Sequence, residues 1–114
     1  MIAVIFEVKN HPGREARYLD LAAELLPHLQ EIEGFISIER FSSLKNPGKL
    51  LSLSFWESEE AIKTWRNLEM HRLAQQEGRQ EVFEHYRLRI ASVVRDYSMT
   101  EREEAPGDSQ QHHR

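Results

Sequence analysis

The sequence predicts an α+β fold of order β-α-β-β-α-β, the ferredoxin-like arrangement, with two helices on one face of a four-stranded antiparallel sheet. Three observations predict it. Apolar residues alternate with a period of two in four stretches, near residues 2–9, 35–43, 49–56 and 86–97. Between the first and second stretches, and again between the third and fourth, the period lengthens to that of a helix. The middle two strands are separated only by Leu44-Lys45-Asn46-Pro47-Gly48, whose turn formers close them as a hairpin.

Each element has its own warrant. In the first strand Ile2, Val4, Phe6 and Val8 share one face, and Ala3, Ile5 and Glu7 the other. Asn10-His11-Pro12-Gly13 is a turn, with Pro12 suited to opening a helix. From Arg14, Tyr18/Leu19, Ala22, Leu25/Leu26, Leu29 and Ile32 form an apolar stripe. Pro27 is expected to kink this helix or split off its last turn, and Gly34 to stop it. In the strand from Lys49, Leu51, Leu53 and Phe55 face one way, and Leu50, Ser52, Ser54 and Trp56 the other. Ser58 is an N-cap, Glu59 and Glu60 complement the helix dipole, and Ala61, Ile62, Trp65 and Leu68 form the second stripe.

Asn67 and Glu69 are expected to mark a bend before a second helical piece, Met70 to Gln76, with Gly78 ending it and Val82-Phe83-Glu84-His85 as a turn. The last strand is expected over Tyr86 to Tyr97, with Leu88, Ile90 and Val94 on one face and Ala91, Val93, Arg87, Arg89 and Arg95 on the other. Residues 98–114 carry no periodicity and read as a flexible polar tail outside a domain of residues 1–97. Apolar residues such as Ile5, Leu50, Trp56 and Val93 are expected on the uncovered sheet face, depending on register. The economical cover for that face is a second copy, giving a dimeric α/β barrel.

The composition narrows the function. At 114 residues the chain is the size of one domain, with 39% hydrophobic and 30% charged residues. A formal charge of −4 and the lack of a Lys/Arg-rich run argue against nucleic acid as the main partner. The absence of cysteine excludes disulfides, thiol catalysis and thiolate metal sites. The N-terminal apolar run is short and interrupted by Glu7, unlike a signal peptide, and no run reaches membrane-spanning length. A cytoplasmic protein is the expectation. The glycines form no G-x-G, and no clustered His/Glu ligand spacing occurs in the folded part, so neither a nucleotide cofactor nor a metal is expected. His11 and His28 are isolated, His85 reads as a turn residue, and His112-His113 as part of the solvated tail.

The element order, the run Phe55-Trp56-Glu57-Ser58-Glu59-Glu60-Ala61, Trp65 in the next helix, Gly34-Phe35 and Val94-Arg95-Asp96-Tyr97 together resemble the antibiotic biosynthesis monooxygenase (ABM) domain, over residues 1–97. That superfamily includes cofactor-free quinone-forming oxygenases, haem-degrading monooxygenases and quinol-handling proteins. Quinone-forming members place a tryptophan on the second helix and a phenolic residue six positions later; Trp65 matches the first, and His71 stands at the second. Their asparagine, one turn before the tryptophan, is Ala61 here, and their last-strand arginine corresponds to Arg87 or Arg89. Haem-degrading members need an axial histidine ten positions after the tryptophan and an asparagine on the first strand. Gln75 and Phe6 stand there and replace neither, while His71 lies one turn before the axial position.

The resemblance implies a homodimeric, cofactor-independent monooxygenase that oxidises a small aromatic, phenolic or quinol-like substrate with dioxygen. In that chemistry His71 takes a proton, Trp65 stacks on the ring, and Arg87 or Arg89 holds the developing anion. Plainer roles compete: Trp65 is at core spacing, His71 fits an exposed or capping helix position, and the alternating arginines can pair with Glu39 or with a partner subunit. The alternatives in function are a non-catalytic small-ligand or haem-binding protein of the same fold, or a structural dimeric accessory module.

Overall fold

A computed structural model describes residues 1–76 and 82–112, with the side chains of 70–76, 111 and 112 excepted. Its elements run β1 (Ile2–Asn10), α1 (Glu15–Gln30), β2 (Phe35–Ser42), β3 (Lys49–Trp56), α2 (Glu59–Gln76), β4 (Phe83–Ser92) and α3 (Gly107–His112). The strands pair antiparallel in the order β2-β3-β1-β4, which is the ferredoxin-like sheet.

Register decides which alternating set faces the helices. Val4 pairs with Ser54 and Ile90, Phe6 with Ser52 and Leu88, and Val8 with Leu50 and Tyr86. Val4, Phe6, Val8, Leu50, Ser52, Ser54 and Trp56 are all buried, so this is the helix side. Ile5, Leu51, Leu53 and Phe55 lie half-buried on the far side. This corrects the expectation for the uncovered face: Leu50 and Trp56 belong to the core, and Leu51, Leu53 and Phe55 take their place. Alternation separates two sets, and only strand pairing with β1 says which set meets the helices.

α1 buries Tyr18, Leu21, Leu25 and Leu29, while Leu19 and Leu26 stand 42% and 38% exposed. Spacings of three and four keep the buried set on one face, and the neighbouring leucines rotate about 100° away from it. Pro27 is carried inside α1, and Leu29 beyond it is buried, so the last turn is not split off. Pro12 lies in the turn rather than at the helix start.

α2 opens as expected, with the Ala61 N–H donating to Ser58 Oγ at 3.3 Å. It then runs unbroken to Gln76, without the expected bend at Asn67 and Glu69; no glycine or proline interrupts residues 59–76. Gly78 lies outside the described residues. β4 both starts and stops earlier than expected. Phe83 already pairs with Asn10 across an irregularity at Lys9/Asn10, so residues 83–85 are strand and not turn. At the other end the ladder stops at the Ile2–Ser92 pair because β1 begins there, which leaves Arg95 outside the strand. The tail also has local order. Ser98 Oγ accepts the N–H groups of Thr100 and Glu101 at 3.2 and 2.8 Å, Arg102 lies 5.3 Å over the Tyr97 ring, and Ala105 is buried before the short α3.

Gly34 fixes how α1 passes into β2 beneath the start of α2. Its φ is +94°, and a Cβ there would stand 3.0 Å from the Ala61 Cβ. Its carbonyl accepts the Glu57 N–H at 2.7 Å. Gly48 has a similar φ of +83°, but a Cβ added there would meet nothing within 4 Å. Gly34→Ala is therefore expected to cost about 2 kcal/mol, and Gly48→Ala about 1 kcal/mol, read from denaturant midpoints.

Candidate active site

Trp56, at the end of β3, is fully buried, and its indole N–H donates to Ser54 Oγ at 2.9 Å. Its ring meets Phe35 edge-on at 5.2 Å and lies 5.8 Å from Trp65 at 44°. Ala61, Ile62 and Trp65 are the buried stripe of α2, so Trp65 is seated on Trp56 from above the sheet.

Beyond Trp65, between α2 and β4, lies an open apolar cleft of about 110 Å³. Val4, Phe6, Ile62 and Phe83 form its floor and sides, with Arg66 and Glu69 as its charged groups. Tyr86, Leu88 and Ile90 are the β4 wall and remain 38%, 44% and 44% exposed. An apolar, partly open recess with few polar groups suits a small organic ligand.

A smaller cavity of about 30 Å³ adjoins it under α1. Phe6, Trp65, Glu69 and Phe83 line both spaces, while Tyr18, Arg40 and Ser52 line only the smaller. Arg40 Nε donates to the Tyr18 hydroxyl oxygen at 3.4 Å, and its guanidinium sits 5.8 Å from the Tyr18 ring centre. Burial holds the Tyr18 phenol above its ordinary value of 10.0; the Arg40 hydrogen bond and charge pull it down, and the Glu69 carboxylate pushes it up. Tyr18 is thus a protonated hydrogen-bonding group at neutral pH.

Of the residues expected at a site, Trp65 lines both spaces. His71 lies within α2, about one and a half turns beyond Trp65, and its side chain falls outside the described residues. Ala61 is buried, and its Cβ would stand 3.0 Å from a Cβ added at Gly34. Phe6 stands in the wall between the two cavities. Arg87 and Arg89 are not brought to Trp65: they pair in register with Glu7 and Ile5 on the far sheet face. Arg89 instead reaches Glu7 at 3.4 Å, and Lys49 reaches the same carboxylate at 3.6 Å, so the pairing with Glu39 expected from sequence goes to Glu7. The helix-side positions of β4 hold Tyr86, Leu88 and Ile90.

Tyr18, Arg40 and Glu69 were not expected at a site. Tyr18 reads as one more member of an apolar stripe, and its partner is 22 residues away on another element. The available signal was Arg40 itself, which follows Ile38 on the helix-facing parity of β2, opposite buried Ser52.

The family model for antibiotic biosynthesis monooxygenase matches residues 1–77. The chain belongs to the ABM family. It is 45% identical over 94 residues to a jasmonate monooxygenase ABM of Pyricularia oryzae, covering 82% of this chain but only 44% of that relative's length. It is 32% identical to the uncharacterised protein YqjZ of Bacillus subtilis, covering 82% of this chain and 79% of that one. Among solved structures, Rv0793 from Mycobacterium tuberculosis superposes with a TM-score of 0.71 at 17% identity, over 85% of this chain and 98% of that one. The heme-degrader MhuD of the same organism, with two hemes bound in its active site, gives a TM-score of 0.65 at 18% identity, over 86% and 100%. These two likenesses show the shared fold. Among the described residues, no helix of this ABM protein is long and apolar enough to cross a membrane.

The Tyr18 environment is testable in solution. Arg40→Met is expected to move its ionisation to higher pH and Glu69→Gln to lower pH, followed by tyrosinate absorbance with Tyr18→Phe as the blank. The unfolded chain releases this proton first, near its ordinary value of 10.0, because folding raises it. Its contribution to stability is therefore full below that pH and lost as pH rises through the folded value, a loss absent in Tyr18→Phe.

Proposed function

We propose that this ABM protein is a monooxygenase that binds a small, largely apolar ring compound bearing an oxygen in the cleft beside Trp65 and oxidises it with dioxygen. The observation that carries the reading is the cleft of about 110 Å³ with its apolar floor and Trp65 as one wall. Membership of the ABM family and the name of the P. oryzae relative support it.

The chemistry balances for a phenol, quinol or anthrone-class substrate without a further reductant. A base removes the hydroxyl proton of a phenol or quinol, or a ring-methylene proton of an anthrone. The resulting anion passes its electrons to dioxygen, and a C–O bond forms at ring carbon. Loss of water from the hydroperoxide leaves a carbonyl. In an anthrone one ring methylene and one dioxygen become one ring carbonyl and one water. In a phenol or quinol one ring hydrogen and the hydroxyl hydrogen leave in that water, and the ring becomes a quinone. The protein then supplies a dry wall, a base and a donor for the anion. Trp65 takes the stacking role. His71 and Glu69 are the α2 groups proposed as base, one from its later turns and one from the cleft wall. Hydroxylation at a saturated carbon has no such electron supply in the substrate and requires a second donor.

A haem-based reading draws on the fold of the haem-bound neighbour. The buried Phe6 supports it less well, since it stands where the haem-degrading pattern has an asparagine.

We also propose a homodimer, in which a second sheet covers Ile5, Leu51, Leu53 and Phe55. Sedimentation equilibrium checks it: Leu53→Glu is expected to shift the protein from dimer to monomer, and a wild type that sediments as a monomer sinks it.

Oxygen uptake across hydroquinones and anthrone-class phenols tests the activity. Trp65→Ala is expected to lower kcat/KM at least tenfold, and His71→Ala to lower kcat by about 100-fold if it is the base. Uptake no faster than the protein-free rate with every substrate, together with a Soret shift on haem titration, would replace the reading by the haem one.

A further inference from the structure

The reaction above uses the apolar cleft and leaves Tyr18, Arg40 and Ser52 without a task. Their arrangement is unusual for a core. Arg40 is on the helix-facing parity of β2, directly opposite Ser52, which is 5% exposed. A guanidinium in such a place costs desolvation unless it meets a partner, and the partner it meets is the Tyr18 hydroxyl at 3.4 Å. Because the Tyr18 oxygen accepts from Arg40, its own O–H is left to donate.

We infer that the small cavity in front of Tyr18 is an oxygen-recognising subsite, which takes the phenolic or carbonyl oxygen of the ring compound whose apolar remainder lies in the adjoining cleft. This rests on the cleft being the ligand site. A volume of about 30 Å³ holds one water-sized group. Two hydroxyls, the Arg40 guanidinium and the Glu69 carboxylate are its polar groups, enough to match a single oxygen and too little room for a ring. Phe6, Trp65, Glu69 and Phe83 are also walls of the apolar cleft, so the two spaces serve the two ends of one molecule, and apolar side chains of α1 with Ile38 complete the smaller one. Arg40 is a positioning residue in this arrangement: its positive charge polarises the phenol, and a polarised donor makes a stronger hydrogen bond than an unpolarised one. Tyr18 is the group that touches the substrate.

Calorimetry in a sealed cell on the full chain, with p-cresol and toluene as probes, tests the inference. The two probes share a ring and methyl group and differ by the oxygen. Tyr18→Phe and Arg40→Met are each expected to weaken p-cresol about tenfold, the worth of one hydrogen bond, and to leave toluene within about twofold. Tyr18→Phe nearly conserves volume, so the packing survives the change. Trp65→Ala weakens both probes together, because it removes a wall of both spaces. Unchanged p-cresol binding in both variants, with toluene still bound, overturns the subsite and leaves the cleft as the ligand site. Failure of either probe to bind wild type overturns both readings.

Discussion

The seat of Trp65 on Trp56 is the contact on which the rest of the site depends. A buried indole carries one N–H that must be satisfied, and here Ser54 satisfies it from two residues earlier on the same strand face. The strand thus solves its own polar problem, and no loop or second element has to reach in. With the N–H settled, the ring is free to act as an apolar platform for Phe35 and Trp65. Truncating a ring so completely enclosed costs on the order of 3–5 kcal/mol in well-packed cores. Gly34 lets the chain pass close beneath Ala61, which brings the first turn of α2 down onto the same platform. Two constraints, one aromatic and one backbone, converge on the cleft wall.

The fold was legible in the sequence because its signals are local. Period two and period 3.6 separate strands from helices, Pro47-Gly48 closes the hairpin, and Ser58 opens α2 through its own hydroxyl. What was not legible depends on partners distant in the chain. Leu50 and Trp56 could be sorted into one set, but the choice of face rests on pairing with Val8 and Ile2. The ends of β4 are set by the length of β1, which no residue of β4 records.

The candidate site shows the same division more sharply. Trp65 was readable because its stripe, cap and preceding strand are contiguous in sequence. Arg87 and Arg89 illustrate how a family pattern can outrun a physical one. Their alternation with Leu88 and Ile90 already places them on the opposite face from the apolar set, and the register with Glu7 and Ile5 agrees. Parity placed them correctly, whereas the role carried over from relatives found no arginine on the helix side of β4. The arginines that do approach the two cavities come from β2 and α2, as Arg40 and Arg66. Nothing about a chain read in order joins Arg40 to Tyr18 across 22 residues.

The same electrostatics limit which residue can do what. Burial raises the Tyr18 phenol, and Arg40 offsets only part of the rise. A phenol held in its neutral form is a good hydrogen-bond donor and a poor source of a phenolate, so Tyr18 cannot be the base in a neutral-pH oxidation. The proton must go to a group that is ionised or neutral-basic at that pH. In the proposed reaction Glu69, close enough to Tyr18 for its charge to be felt, and His71, two residues further along α2, are the candidate acceptors. The proposed donor comes from α1 and the proposed acceptor from α2, and Tyr18 and Glu69 meet at the smaller cavity that both line.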